Sequence, residues 1–395
     1  MPRCLDVPAW RVATPKELIA FTESKTARRG PRGSHLVIRS QLNQVDIYAY
    51  LRARFGIPNG FQNFLRKNDS DNLIHWDFNI RAGEVDVYIQ GRMRDVAIMV
   101  SESMADEDWK TLILALKADF GRIGVAKSKM LRSFEKFAVF QNKYVVLAGL
   151  CADLHASIVD ARDMVRKLPR LDADRKAEEY KLAMENIAKR ATNIYGDCLK
   201  LRLLTPIMAE AFLNMVILTF CNEEIRNDKA RYDAFVREKI PEKLAQLNIN
   251  CAGFDRGVDA SAETYRDFLR VMNARNFAIH GNIDPIREQI ETVYFEGKRP
   301  LFADNGDHML KLFEHLEEIN APSDVISDYE AVHLFLIEIQ SMLEPHYRAF
   351  FEQVINDSYP GYEVKDKRVT RILPSHNIAM LFPGERYDDD LRVLW

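Results

Sequence analysis

Along the first 125 residues the apolar positions come in short runs. Leu36-Val37-Ile38 reads as a strand, and Val45 to Leu51 reads equally as strand or helix. Asn72 to Ile80, Glu84 to Gln90 and Asp95 to Ser101 read as strands, with Val85, Val87 and Ile89 alternating against Asp86, Tyr88 and Gln90. A period of two predicts a meander with one face on a core and the other in water. At Asp106 to Gly121 the period changes. Trp109, Leu112, Ile113, Leu116 and Phe120 recur at helical spacing behind an acidic start, the pattern of a capped amphipathic helix. Together these elements predict an α+β domain over residues 1–125.

From Lys127 onward the period stays helical. Lys129 to Leu168 is expected as one long helix or a pair, broken by Pro169 to Asp174. A charged amphipathic helix over Asp174 to Lys200 and an apolar one over Pro206 to Cys221 follow. Further helices are expected at Lys229 to Leu247, Ala262 to His280 and Asp328 to Asn356. The stretch from Gly297 to Gly306 reads as a loop, and residues 358–395 as an irregular tail able to wrap a partner or the bundle. The fold class is therefore α+β: a small N-terminal antiparallel-sheet domain, then a mainly α-helical domain over 126–357.

Composition limits the function classes. At 395 residues and 47% hydrophobic content the chain can fill two cores. Its five cysteines are odd in number and not in C-x-x-C pairs, which fits reduced thiols in a cytoplasmic protein and argues against a zinc site. His308, His315, His333 and His346 lack metal-ligand spacing, and no P-loop, dinucleotide fingerprint or G-x-S-x-G is present, so neither metal nor cofactor is expected. Met1 to Trp10 does not resemble a signal peptide. Leu203 to Asn222 is the one membrane-like run, but Glu210 and Pro206 interrupt it, so it is read as a buried bundle helix with no membrane partner. Net charge is only −3, yet residues 1–150 hold 23 Lys+Arg against 16 Asp+Glu and the remainder 32 against 42, which makes the front the polyanion-facing part.

Candidate chemistry concentrates at Arg275-Asn276-Phe277-Ala278-Ile279-His280. Tyr265, Phe268, Leu269, Met272, Asn276 and Ile279 share one helical face, so Asn276 interrupts an apolar stripe. Gly281 suits the position after the helix, and Asp284-Pro285 the start of the next. Arg275 and His280 are five apart, which leaves them about 140° apart around the axis and roughly 7.5 Å along it. One helix alone aligns them poorly, unless the arginine curls, the helix end distorts or a second copy faces the first. A histidine near neutral pKa and a phosphate-binding guanidinium suit transesterification at an RNA phosphodiester. A favourable charge at a helix C-terminus is the plainer reading of the same residues.

The motif resembles that of the HEPN (higher eukaryotes and prokaryotes nucleotide-binding) superfamily, R-x4-6-H with a polar residue after the arginine. Ala209-Glu210-Ala211-Phe212-Leu213-Asn214-Met215 and Ile240-Pro241-Glu242-Lys243-Leu244 resemble two further elements of such proteins. The likeness covers roughly residues 200–357. It implies a helical bundle that homodimerises around the motif and, in active members, metal-independent RNA cleavage. It also implies Arg275, His280 and Asn276 as catalytic residues, with Glu210 and Asn214 supporting them through a Glu210–Arg275 contact. Asn282 stands where toxins of this kind that pair with a nucleotidyltransferase antitoxin carry tyrosine, which points away from that mode of control. The expected function is a defence or toxin endoribonuclease regulated through a ligand or protein at the front domain; the alternative is an inactive scaffold binding nucleotide or a partner protein. Weaker RNA-binding candidates are Arg28, Arg29 and Arg32 near Arg39, and Lys298 and Arg299. Arg52, Arg54, Arg66 and Lys67 among Phe55, Phe61 and Phe64 resemble a nucleic-acid surface only loosely, and the phenylalanines are assigned to the core.

Overall fold

A computed structural model describes residues 2–26, 33–65, 72–161, 177–279, 285–286, 289, 291–303, 315, 321–372 and 384–395. The chain forms two units: Met1–Phe137 together with Ile372–Trp395, and Ala138–Arg371. The antiparallel sheet lies in the first, and helices dominate the second.

The front unit contains β1 (Arg11–Val12), α1 (Pro15–Thr26), β2 (Ser34–Ile38), α2 (Gln44–Phe55), α3 (Gln62–Leu65), β3 (Trp76–Ala82), β4 (Val85–Gly91), β5 (Val96–Val100), α4 (Asp106–Arg122) and α5 (Gly124–Arg132). The ambiguous run after Leu42 is helix α2, started by the Asn43 side chain, which accepts a hydrogen bond from the Val45 N–H. The sheet order is β1-β3-β4-β5-β2, antiparallel throughout. Phe78 lies opposite Ile89, and Ile98 opposite both Ile89 and Leu36. This face joins Ile47, Tyr50 and Leu51 of α2 and Trp109, Leu112, Ile113 and Leu116 of α4 in one core.

The other face is not wet, which corrects the expectation from alternation. Asp77, Asn79, Tyr88 and Gln90 are all buried there. The Asp77 carboxylate accepts from the Gln62 N–H at 2.8 Å, the Asn63 N–H at 3.1 Å and the Tyr88 hydroxyl at 2.9 Å. The Asn59 side chain bonds both the N–H and the carbonyl of Asn79. A Cβ on Gly60 would lie 2.1 Å from the Asp77 carboxyl carbon, so only glycine allows this approach. The turn presents its main-chain amides to the sheet. Phe61 and Phe64, expected in the core, are consequently exposed.

The last segment completes this unit. The Val37 N–H donates to the Arg386 carbonyl at 2.9 Å beside a parallel bridge from Val37 to Tyr387, which covers the free edge of β2. The buried Asp388 carboxylate accepts from the N–H groups of Arg39, Ser40 and Gln41 and from the Ser40 hydroxyl, at 2.7 to 3.1 Å. Residues 384–395 thus pack on the front unit, where the sequence offered a partner or the bundle.

The second unit differs from its prediction chiefly at breaks. The stretch from Lys129, expected as one long helix or a pair, is two helices with a strand between them: α5 ends at Arg132, β6 (Phe137–Val139) follows, and α6 (Lys143–Ala161) begins after Asn142. The buried Asn142 amide donates to the Ile355 and Asp357 carbonyls at 2.9 and 3.1 Å while its oxygen accepts from the Tyr144 N–H. That distant partner is invisible in a local pattern. The two helices expected on either side of Pro206 are one, α7 (Ala177–Phe220), with the proline inside it. Proline in a helix costs about 3 kcal/mol, and here Leu201, Met208, Ala209, Phe212, Leu213 and Val216 of the same helix are buried in the core and outweigh it. Pro169 to Asp174 lies outside the described residues.

Proline also divides two stretches expected to be continuous. After α8 (Glu223–Asn227), Lys229 to Leu247 becomes α9 (Lys229–Arg237) and α10 (Ile240–Asn250), with Pro241 in the first turn of α10. Then come α11 (Glu263–Ile279) and the antiparallel hairpin β7 (Val293–Glu296) with β8 (Arg299–Phe302), where a loop was expected. Asp328 to Asn356 becomes α12 (Pro322–Ser341) and α13 (Pro345–Ile355). The Arg348 guanidinium donates to the carbonyls of Gln340, Ser341 and Leu343, satisfying the end of α12. Strands β9 (Gly361–Glu363) and β10 (Arg368–Thr370) give order to the start of the expected irregular tail, forming a sheet in the order β10-β9-β6. Among the described residues two helices, α6 and Met184–Phe220 within α7, are long and apolar enough to cross a membrane by length and composition, where the sequence singled out one; of the most apolar 18 consecutive residues, 61% are buried in the second and 11% in the first.

Candidate active site

Helix α11 is fixed on its apolar face by Phe268, Val271 and Met272, all buried. The Phe268 and Phe335 rings lie 4.4 Å apart, and Arg270 pairs with Asp328 at 2.7 Å, so α11 is held against α12. It also packs on α7. Arg275 and Asn276 stand in the last turns of this helix, as the spacing predicted. Their side chains, and His280, Gly281 and Asp284 altogether, lie outside the described residues, as does any Glu210–Arg275 contact.

Glu210 and Asn214 lie one turn apart on α7, both half-buried. The structure brings to them Lys243 of α10, whose ammonium donates to the Asn214 side-chain oxygen at 3.3 Å. Lys243 is only 3% exposed. Burial pulls its pKa below the ordinary lysine value, while the charges of Glu210 and Glu238 oppose that shift. The arrangement is a carboxylate, an amide and a buried cation joining α7 to α10. Lys243 lies in the Ile240–Leu244 element noted in the sequence, where no role attaches to it. The available signal was its place beside Ile240, Leu244 and Leu247 on one face of α10, a charge within an apolar stripe.

The basic candidates separate. Arg28, Arg29, Arg32, Arg66 and Lys67 lie outside the described residues. Arg39 is already engaged, with its guanidinium bound to both Asp389 carboxylate oxygens and stacked 3.9 Å above the Tyr387 ring. Arg54 is also internal, pairing with Asp119 at 2.9 Å. Lys298 and Arg299 are exposed at the turn of the β7–β8 hairpin. Among the described residues no group of three or more His, Cys, Asp or Glu side chains is placed to hold a metal ion.

Comparison with family models, with characterised proteins and with solved structures produced no match to this chain.

Proposed function

We propose that this chain is a metal-independent endoribonuclease of HEPN type, acting as a homodimer in the cytoplasm. The observation that carries the reading is the Arg275-Asn276…His280 spacing in the sequence, with Arg275 and Asn276 in the last turns of a helix that packs against the helix bearing Glu210 and Asn214. Arg275 binds the scissile phosphate, Asn276 orients it, and His280 moves the proton of the ribose hydroxyl. Because Arg275 and His280 align poorly on one ideal helix, the reading takes the two groups at each phosphate from facing copies of the chain. Lys243 holds Asn214 in place from α10. Control by the front unit, in defence or as a toxin, completes the proposal.

The test is incubation of the full chain with total RNA in EDTA. Cleavage that disappears in both His280→Ala and Arg275→Ala, with the dimer retained by light scattering, supports the reading. Intact RNA from a dimeric wild-type chain would instead identify a scaffold that binds nucleotide or a partner protein. The boundaries at Ala138 and Arg371 make residues 138–371 the fragment in which to ask whether the helical unit cleaves alone.

A further inference from the structure

Five cysteines scattered through the sequence looked unrelated, and all five are free and buried. Two are set against each other. Cys221 follows the last residue of α7, Cys251 follows the last residue of α10, and they form an isolated antiparallel bridge. The Asn222 N–H donates to the Asn250 carbonyl, and the Ala252 N–H to the Phe220 carbonyl, both at 2.8 Å. These bonds flank the cysteines without joining them, so the pair occupies the non-hydrogen-bonded position of the ladder. There Cα atoms approach to about 4.5 Å and the side chains project from the same face. A disulfide requires Cα atoms roughly 4.4–6.8 Å apart.

The backbone on both sides is already fixed. The Cys251 N–H donates to the Leu247 carbonyl at 2.9 Å, and the Arg226 guanidinium donates to the Cys221 carbonyl. Two residues on, Gly253 has φ +85° and lies so close to Tyr347 that a Cβ would fall 2.3 Å from its ring. The bridge position therefore sets the two cysteines at the Cα spacing that a disulfide needs.

We propose that Cys221 and Cys251 form a reversible disulfide that clamps the end of α7 to the end of α10. The same two helices carry Asn214 and Lys243, so the bond fixes the carboxylate–amide–ammonium cluster from one side. Glutathione disulfide is the oxidant. One cysteine thiolate displaces a glutathione thiolate to give a mixed disulfide. The second cysteine thiolate then attacks the protein sulfur of that bond and releases the other glutathione. Two electrons pass to glutathione disulfide, and the two thiol protons end on two glutathione molecules. Burial pushes both thiols above their ordinary pKa, which makes the step slow until the turn opens.

The experiment treats the reduced full chain with glutathione disulfide under native conditions, blocks residual thiols after denaturation and maps the peptides. The expected product is one Cys221–Cys251 cross-link, lighter by two hydrogens and reversed by dithiothreitol, with Cys4, Cys151 and Cys198 all blocked as thiols. Oxidation should raise the unfolding midpoint by about 5 °C or more, a shift absent in Cys221→Ala and Cys251→Ala. A native chain that stays fully reduced, forms mixed pairs, or cross-links these two cysteines only in urea overturns the proposal. None of these readouts depends on RNA cleavage, and mapping the wild-type chain decides even if a variant misfolds.

Discussion

In the front unit the second face of the sheet buries Asp77, Asn79 and Gln90, and Asp119 and Asp388 are buried elsewhere in the same unit; in the helical unit the corresponding positions of α7 bury Leu201, Met208, Phe212 and Val216. The first unit depends on hydrogen-bonded carboxylates such as Asp77, Asp119 and Asp388, because a buried carboxylate left without donors is costly. Many of its donors come from distant segments, so its stability is tied to chain segments that contribute little apolar surface. The second depends on interlocking rings and aliphatic groups and tolerates a proline within its longest helix. Removing an atom from each should therefore have different consequences: a void in one, an orphaned polar group in the other.

The largest effect is expected for Phe212→Ala, whose ring is fully buried and meets Tyr144 and Phe351 edge-on at 5.4 and 5.5 Å. A loss of about 3–5 kcal/mol in urea unfolding is the expected cost of such a cavity, with the front unit's transition unchanged. Asp388→Ala should cost the front unit about 3 kcal/mol by stranding several main-chain donors; a loss no greater than that of its exposed neighbour would show that the tail contributes nothing there. Lys243→Met, which removes the ammonium that donates to the Asn214 side chain, should cost about 1–3 kcal/mol. An unchanged midpoint would break the assignment of Lys243 as the tie between α7 and α10. Arg39→Ala should move the midpoint least of the four, because its pair with Asp389 is half exposed on both sides.

Acid should distinguish the units as well. Burial pushes the Asp119 carboxyl up, but hydrogen bonds from Arg122 and Tyr50 and the charge of Arg54 outweigh it, leaving its pKa below the ordinary value. The folded carboxyl therefore binds a proton less readily than the unfolded one. Its stabilisation is complete above the unfolded value of about 3.9 and disappears as pH falls through the lower folded value. Midpoints measured from pH 6 downward should show the front unit weakening over that range, and Asp119→Asn should flatten the slope.

Strand positions in the front unit and the course of α4 could be read from periodicity, since each side chain's face follows from its own neighbours in sequence. Local patterns failed where the partner was remote. Alternation at Asp86, Tyr88 and Gln90 fixed a shared face but could not reveal the turn at Asn59 to Asn63 that covers its neighbours. Nor could the proline at 206 announce that burial would carry α7 through it, or the acidic run at Asp388 that it would meet the amides after β2. At the candidate site the Arg275–His280 spacing was legible, as were Glu210 and Asn214 on one face. Lys243 was legible only as an odd charge in an apolar stripe.

By itself, then, the sequence determined the period of each element, the α+β order along the chain and the Arg275–His280 spacing, because these depend on residues within a few positions of one another. Only the tertiary structure decided that residues 384–395 fold with the front unit, that Lys243 meets Asn214, and that Cys221 faces Cys251. Those pairings join groups separated by tens to hundreds of residues, and burial energy, which depends on the whole packed arrangement, selects among them.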